Sequence, residues 1–333
     1  MDEARKIVTE IQNGNVGPLY FLSGEEPYYI DKIADFVAEN VLTEEEKGFN
    51  QMVLYGKDVS VEDIVANAKR YPMMAERQVL IVKEAQHLSR TIEQLSGYTD
   101  NPQPSTVLVM CYKYKKLDKR KKLYKSVRKN GVLFESKKLY ENQVSEWIRT
   151  HLKSKGYTIS HKAASLLVEF LGTDLSRIDK ELEKLQFVLS KASEITPDAI
   201  EKHIGISKDY NNFELKKAIG ERNVTKAARI IHYFTQNPKD NPFVLTVTLL
   251  NSFFTQLLQY HGLTDHSPKN VASVLRINPY FVDEFRVAAK NYPMKRVSQI
   301  IAALREMDLK GKGVGAYGIS QSDLLKELLV KIL

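Results

Sequence analysis

The 333-residue sequence has a single cysteine, Cys111. One thiol excludes an internal disulfide and any multi-cysteine zinc site. It follows the apolar run Val107-Leu108-Val109-Met110, so it reads as a buried structural thiol rather than a nucleophile. No apolar run approaches the roughly 20 residues needed to cross a bilayer. The opening Met1-Asp2-Glu3-Ala4-Arg5-Lys6 leads into no apolar signal core, so a cytoplasmic location is expected. The seven histidines form no H-E-x-x-H pair and none has metal-ligand spacing to another. There is no G-x-S-x-G elbow. The carboxylates of Glu25-Glu26 and Glu44-Glu45-Glu46 are consecutive, and consecutive side chains on a helix do not face each other. No catalytic residue, metal site or cofactor site is expected.

What is present is an ordinary globular composition, 43% hydrophobic and 27% charged, long enough for about two or three domains. The net charge of +8 favours an anionic partner, whether nucleic acid or an acidic protein surface. Over the first 140 or so residues, short apolar runs alternate with helical patterns. Leu19–Leu22, Met52–Tyr55, Val79–Val82, Val107–Met110 and Val132–Phe134 are the strand candidates. Ile30, Ile33, Val37 and Val41 mark one intervening helix, and Val61, Ile64, Val65 and Ala68 another. Fully apolar strands alternating with helices imply a parallel sheet covered on both faces. Beyond residue 140 the strand signals nearly stop. Val144, Trp147, Ile148 and Leu152 mark one helix and Ala163–Leu171 a second, with Ser160 as its N-cap. Leu175, Ile178, Leu182, Leu185 and Val188 mark a third, capped by Thr173. "FVLTVTLLNSFFTQLLQYH" is apolar nearly all round and is expected to be well buried. Gly311-Lys312-Gly313-Val314-Gly315 reads as a flexible turn before the last helix.

"SGEEPYYIDK", residues 23–32, sits between a strand and a helix, where a nucleotide-binding loop would sit. A phosphate loop reads G-x-x-x-x-G-K-[ST], with glycines for close backbone approach, a lysine for charge and a hydroxyl for magnesium. Counting from Gly24, those three positions are Tyr29, Ile30 and Asp31. An ATPase of this layout also carries Asp-Glu after the strand at 79–82; here that place reads Lys83-Glu84. The loop is either the scaffold of a lost nucleotide site or an unrelated strand-to-helix turn. The matching loss at two places favours the first.

Two other stretches stand out. In "KYKKLDKRKKLYKSVRK", residues 113–129, ten of 17 residues are Lys or Arg, with Tyr112, Tyr114 and Tyr124 interleaved. The tract either follows a phosphate backbone or is a solvated helix face held by Leu117, Leu123 and Val127. In "RYPMMAERQ", residues 70–78, Pro72 is expected to stop the preceding helix. Adjacent Met73 and Met74 cannot both use one buried stripe. They either cover the sheet edge or are presented to a partner's apolar pocket, which suits unbranched, polarisable methionine.

The whole chain resembles the delta subunits of bacterial DNA polymerase III clamp loaders. The resemblance rests on "LYFLSGEEPYYIDK" (19–32), "YPMMAERQVLIVKE" (71–84), "FLGTDLSRIDKELEKL" (170–185) and "AALREMDLKGKG" (302–313), in that order. It implies an α/β plus all-α fold in three parts. These are an AAA+-like parallel-sheet module with a degenerate nucleotide site (1–140), a small helical lid (141–209) and an all-helical collar (210–333). No Ser-Arg-Cys motif of the loader's ATPase subunits follows the strand at 107–111. The resemblance further implies a nucleoid-associated, non-catalytic subunit that needs no cofactor. Its implied partners are the sliding clamp (beta), delta-prime, the ATPase subunits and, through the complex, primed DNA. The matching clamp-binding wedge is Met73 and Met74 with Tyr71, departing from the family at Pro72 and in having no aromatic at position 74. Lys113, Lys115, Lys116, Lys119, Arg120, Lys121 and Lys122 are candidate DNA contacts. The alternative is an AAA+-like nucleic-acid-binding protein that relies on the basic tract 113–129.

Overall fold

Apolar runs and 3.6-period stretches alternate through the first of two units, which ends at Leu139. The computed structural model describes residues 2–191, 193–315 and 318–333. In chain order the first unit has α1 (Asp2–Gln12), β1 (Leu19–Gly24), α2 (Pro27–Asn40), α3 (Glu44–Asn50) and β2 (Gln51–Tyr55). Then come α4 (Val61–Ala68), β3 (Gln78–Lys83), α5 (Ser96–Thr99), β4 (Thr106–Lys113), α6 (Lys122–Asn130) and β5 (Val132–Ser136). All neighbouring strands pair in parallel, in the order β2-β3-β4-β1-β5.

Alternate residues of each strand point to opposite faces, and helices cover both. Leu19, Phe21, Leu80, Val82, Leu108 and Met110 pack with Ile64 of α4 and Leu123 and Val127 of α6. On the other face Tyr20, Leu22, Val79, Ile81, Val107, Val109 and Cys111 pack with Ile30, Ile33 and Val37 of α2. Burial pushes the Cys111 thiol up to about 12, so it stays an inert thiol. The helix starts follow from local chemistry. Thr43 with Glu46, and Ser60 with Asp63, form capping boxes at α3 and α4. Pro27 opens α2, where its missing N–H costs nothing.

The second unit begins at Tyr140. It contains α7 (Glu141–Ser154), β6 (Thr158–Ile159), α8 (His161–Leu171), α9 (Leu175–Val188), β7 (Glu194–Ile195) and α10 (Pro197–Ile204). It continues with α11 (Asn212–Gly220), α12 (Val224–Gln236), α13 (Phe243–His261), α14 (Pro268–Leu275), α15 (Val282–Asn291), α16 (Met294–Gly311) and α17 (Gln321–Ile332). Here several expectations are corrected. The two-residue strands β6 and β7 pair in parallel, too short to leave an alternation in sequence. Asp174, not Thr173, caps α9, its carboxylate accepting from Arg177 N. Val188 is exposed at the end of α9. Helix α13 is buried along one stripe only, with Val244 and Leu245 facing solvent. Of the turn expected at 311–315, residues 312–315 do form a turn, whereas Gly311 still belongs to α16, and a Cβ there would lie 2.3 Å from the Phe243 ring.

The seven helices α11 to α17 share one apolar core that includes Phe234, Phe254, Tyr292, Ile300 and Leu328. The Tyr292 hydroxyl donates to the Ile219 carbonyl at 2.9 Å and the Asn291 amide to that of Gly220 at 2.8 Å, closing the end of α11. At its start, Asn211 caps the Glu214 N–H. Glu214 carries ion pairs to Lys226 and, at 2.6 Å, to Lys162 of α8. Burial pushes the Glu214 carboxyl up, but those two ammonium groups hold it below the usual range.

Glu169 of α8 accepts from Phe213 N in the first turn of α11 at 3.0 Å. Helix N-termini favour anions, yet burial dominates and raises this carboxyl to about 6, against 4.5 ordinarily. A folded value above the unfolded one means this group's stabilisation is complete below about pH 4.5. It is lost as pH rises through about 6. Glu169→Gln keeps a carbonyl acceptor for Phe213 N without the charge. We expect it to be more stable than the parent at pH 7.5 by ~1–2 kcal/mol, with no difference at pH 4, in urea unfolding of the full chain.

Candidate functional site

The turn from β1 into α2 is only Glu25-Glu26, and it is tied down on every side. Gly24 has φ +123°, and a Cβ there would lie 2.0 Å from the Ser136 carbonyl oxygen, so only glycine fits. Glu25 N donates to that carbonyl at 3.1 Å and Glu26 N to the Ser136 hydroxyl at 3.3 Å. The buried Glu26 carboxylate accepts from Tyr28 N at 3.1 Å. A carboxylate of the chain thus occupies the helix N-terminus where a phosphate would bind. From above, Tyr114 N donates to the Gly24 carbonyl at 2.7 Å, and Gly24 N to that of Lys115 at 2.9 Å. The loop after β4 therefore folds over the turn as an antiparallel bridge, reversing at Tyr114 in the left-handed region, φ +59°.

Charged side chains of the chain itself meet at the C-terminal edge of the sheet. Lys113 Nζ, at the end of central β4, lies 2.8 Å from Asp31 of α2 and 2.8 Å from Glu84 after β3. Burial works against the Lys113 charge, but the two carboxylates outweigh it and hold the ammonium above the usual lysine range. Lys113 in turn holds Glu84 below the usual carboxylate range. Lys83 Nζ reaches Asp35, one helical turn after Asp31, at 3.1 Å. The positions Asp31 and Lys83-Glu84, singled out for their missing nucleotide chemistry, thus meet in one ion-pair network.

The basic tract is not one helix. Lys113 ends β4, a loop follows, and α6 starts at Lys122. Leu117, Leu123 and Val127 are buried, as the solvated-face reading expects. Tyr112 is buried and Tyr124 packs against the core; of the three tyrosines only Tyr114 is exposed. Lys116 pairs with Glu135 at 3.0 Å and Glu25 at 3.5 Å. Arg120 grips Asp118 with two bonds of 3.0 and 2.8 Å, and Lys122 pairs with Asp100 at 2.6 Å. Lys115 Nζ donates to the Ser89 hydroxyl at 2.7 Å. Lys119 and Lys121 are exposed and stand outside these pairs.

The α4–β3 connection carries the two methionines. Helix α4 ends at Ala68 with Lys69 as its C-cap, four residues before Pro72. Pro72 therefore does not stop the helix, and Met73 and Met74 stand in a loop rather than on the helix tip. Gln78 Nε2 pins the base of that loop, reaching the Asn67 carbonyl at 3.1 Å and that of Arg70 at 2.6 Å. Arg77 Nη1 donates to the Val16 carbonyl at 2.9 Å. Tyr71 is 78% exposed, Met73 57%, and Met74 fully so. Neither methionine covers the sheet edge. Phe49, 77% exposed on α3, went unnoticed in sequence. Its signal was present: within "EEEKGFN" its i−3 and i−4 neighbours are both glutamates, so it has no apolar partner on its own helix.

The Lys113 network generates one expectation. Lys113→Met leaves the Asp31 and Glu84 carboxylates facing each other without their counter-ion. We expect a loss of about 1–3 kcal/mol in urea unfolding, part of it restored by adding Glu84→Gln.

Two family models match the chain: "DNA polymerase III, delta subunit" over residues 20–137 and "DNA polymerase III delta subunit, C-terminal domain" over residues 209–330. DNA polymerase III subunit delta of Bacillus subtilis (strain 168) is 28% identical over 331 residues, covering 96% of this chain and 94% of that one. The probable DNA polymerase III subunit delta of Aquifex aeolicus (strain VF5) is 21% identical over 308 residues, 88% of this chain and 86% of that one. The solved DNA clamp loader delta protein of Bacillus subtilis superposes with a TM-score of 0.59 at 27% identity, covering 99% of each chain. The expected fold class, a parallel-sheet α/β module followed by a mostly helical remainder, is the one observed. Together the two models account for more than half of the sequence, and the chain belongs to the delta-subunit family of the DNA polymerase III clamp loader.

Proposed function

We propose that this chain binds a ring-shaped sliding clamp and opens it by protein–protein contact, so that the ring can be placed on primed DNA. The observation that carries this reading is the apolar loop Tyr71–Met74, whose side chains stand in solvent at the end of a firmly tied connection. Single exposed apolar residues are ordinary, but three of them clustered within four residues make the contiguous kind of patch that marks an interaction surface. A loop that fits an open ring better than a closed one shifts the ring's population by its differential affinity and no more. That mechanism needs no covalent step and no cofactor. The closed β1–α2 turn supports it from the other side: Glu26, Lys113 and the 114–115 bridge fill the space a nucleotide would take. ATP is then spent by neighbouring ATPase subunits.

In this reading residues 1–140 are the clamp-binding module, 141–209 a lid and 210–333 a collar that joins delta-prime and the ATPase subunits. The broad shared core of α11 to α17 suits a collar with permanent neighbours. No helix among the described residues is long and apolar enough to cross a membrane, which fits a cytoplasmic, nucleoid-associated assembly.

The test is surface plasmon resonance of the chain against its cognate clamp, for wild type and Met73→Ala/Met74→Ala. Burying a methionine is worth roughly 1.5–3 kcal/mol, so we expect the double variant to lose at least ~100-fold in affinity while staying folded. Unchanged affinity would move the contact elsewhere. A second reading draws on exposed Lys119 and Lys121: the isolated chain holds nucleic acid through its basic tract. In that case affinity for DNA falls steeply with salt, and neutralising Lys119–Lys122 lowers both affinity and the salt slope.

A further inference from the structure

The loop that carries the methionines is held by one side chain from another element. Asn50 closes α3 and is only 5% exposed. Its Oδ1 accepts from Met73 N at 2.6 Å, and its Nδ2 donates to the Met73 carbonyl at 2.9 Å. One primary amide thus satisfies both polar backbone groups of Met73, as a neighbouring strand would. Nδ2 also reaches the Glu46 carbonyl at 3.3 Å, which anchors the amide to the last turn of α3. Asparagine suits this place because it offers a donor and an acceptor side by side on a short stem.

The next residue gives an independent sign of constraint. Met74 has φ +52°, the left-handed region that residues with a Cβ avoid. Such a conformation persists only where its surroundings dictate it. The Met74 side chain is fully exposed, so no packing on that side chain dictates it. The hold comes from the backbone on its N-terminal side, where Asn50 grips Met73.

We infer that Asn50 is a positioning residue for clamp binding: it presets the Met73–Met74 backbone, so that both thioethers are presented before the clamp arrives. This deepens the clamp-opening reading and rests on it. Without the Asn50 amide, the loop samples many conformers and only a fraction is competent. The apparent dissociation constant then rises by the inverse of that fraction. When loop motion is fast, the loss falls on association. The finished complex, with its methionines seated, leaves at the same rate.

The experiment immobilises the full chain and flows the clamp over it, for wild type, Asn50→Ala and Met73→Ala/Met74→Ala. We expect Asn50→Ala to lower the association rate about tenfold, with the dissociation rate within about twofold and the maximal response unchanged. A merely structural role would instead lower the maximal response, because unfolded molecules do not bind at all. If Asn50→Ala melts below the assay temperature, Asn50→Ser takes its place; its hydroxyl satisfies the Glu46 carbonyl but cannot span both Met73 atoms. Unchanged association in a folded Asn50 variant, with the double methionine variant dead, overturns this inference and leaves the clamp reading standing. A faster dissociation with normal association also overturns it, since Asn50 would then act inside the complex. A double methionine variant that binds like wild type removes both.

Discussion

The Lys113 ammonium is the point on which the first unit turns. It ends the central strand, and it meets carboxylates from α2 and from the end of β3. An ammonium in that half-shielded place is held by two anions or not at all, because burial alone works against its charge. Once it is held, the C-terminal edge of the sheet is closed, and open parallel sheets ordinarily take their ligands at that edge. The loop after β4 then folds over Gly24 and completes the closure. The module thus keeps an open parallel sheet whose C-terminal edge is filled by its own side chains. What it presents instead is an apolar loop at the opposite, N-terminal end of β3.

The two regions hold their geometry by different means. The closed edge relies on charges that satisfy one another, Lys83 with Asp35 and Lys113 with Asp31 and Glu84. The α4–β3 loop relies on hydrogen bonds to backbone atoms, from the neutral amides of Asn50 and Gln78 and, at its β3 end, from the Arg77 guanidinium. In the clamp-opening reading, the neutral bonds of Asn50 to Met73 suit a surface that enters an apolar pocket, because no charge has to be stripped of water at that amide.

The sheet was legible in sequence because its inner strands β1, β3 and β4 are buried on both faces and read as unbroken apolar runs. The lost phosphate chemistry was legible because Tyr29, Ile30 and Asp31 occupy fixed offsets from Gly24. The filling of that place was not, since Lys113 reaches Asp31 across 82 residues of sequence and Glu84 across 29. Met73 and Met74 stood out by adjacency alone. Their holder Asn50 did not, because an asparagine at the end of a short acidic helix looks like any helix terminus. The basic tract looked uniform in composition, whereas its cations divide between internal ion pairs and open solvent. Short β6 and β7 left no periodicity to find, and the capping role passed from Thr173 to Asp174 because a carboxylate there meets Arg177 N directly. Gly311 misled for a related reason: glycine's openness in sequence was its closeness in space, against the Phe243 ring.

Among the exposed side chains of the α4–β3 loop are the flanking charges of Lys69, Arg70 and Glu76; between them Tyr71, Met73 and Met74 offer a phenol ring and two thioethers without formal charge. Desolvating such groups leaves a calorimetric signature. Apolar burial lowers the heat capacity of the pair, so the enthalpy of association becomes more negative as temperature rises. In the clamp-opening reading, the three apolar side chains would thus be read through the heat-capacity term, while the flanking Lys69, Arg70 and Glu76 would add a dependence on ionic strength.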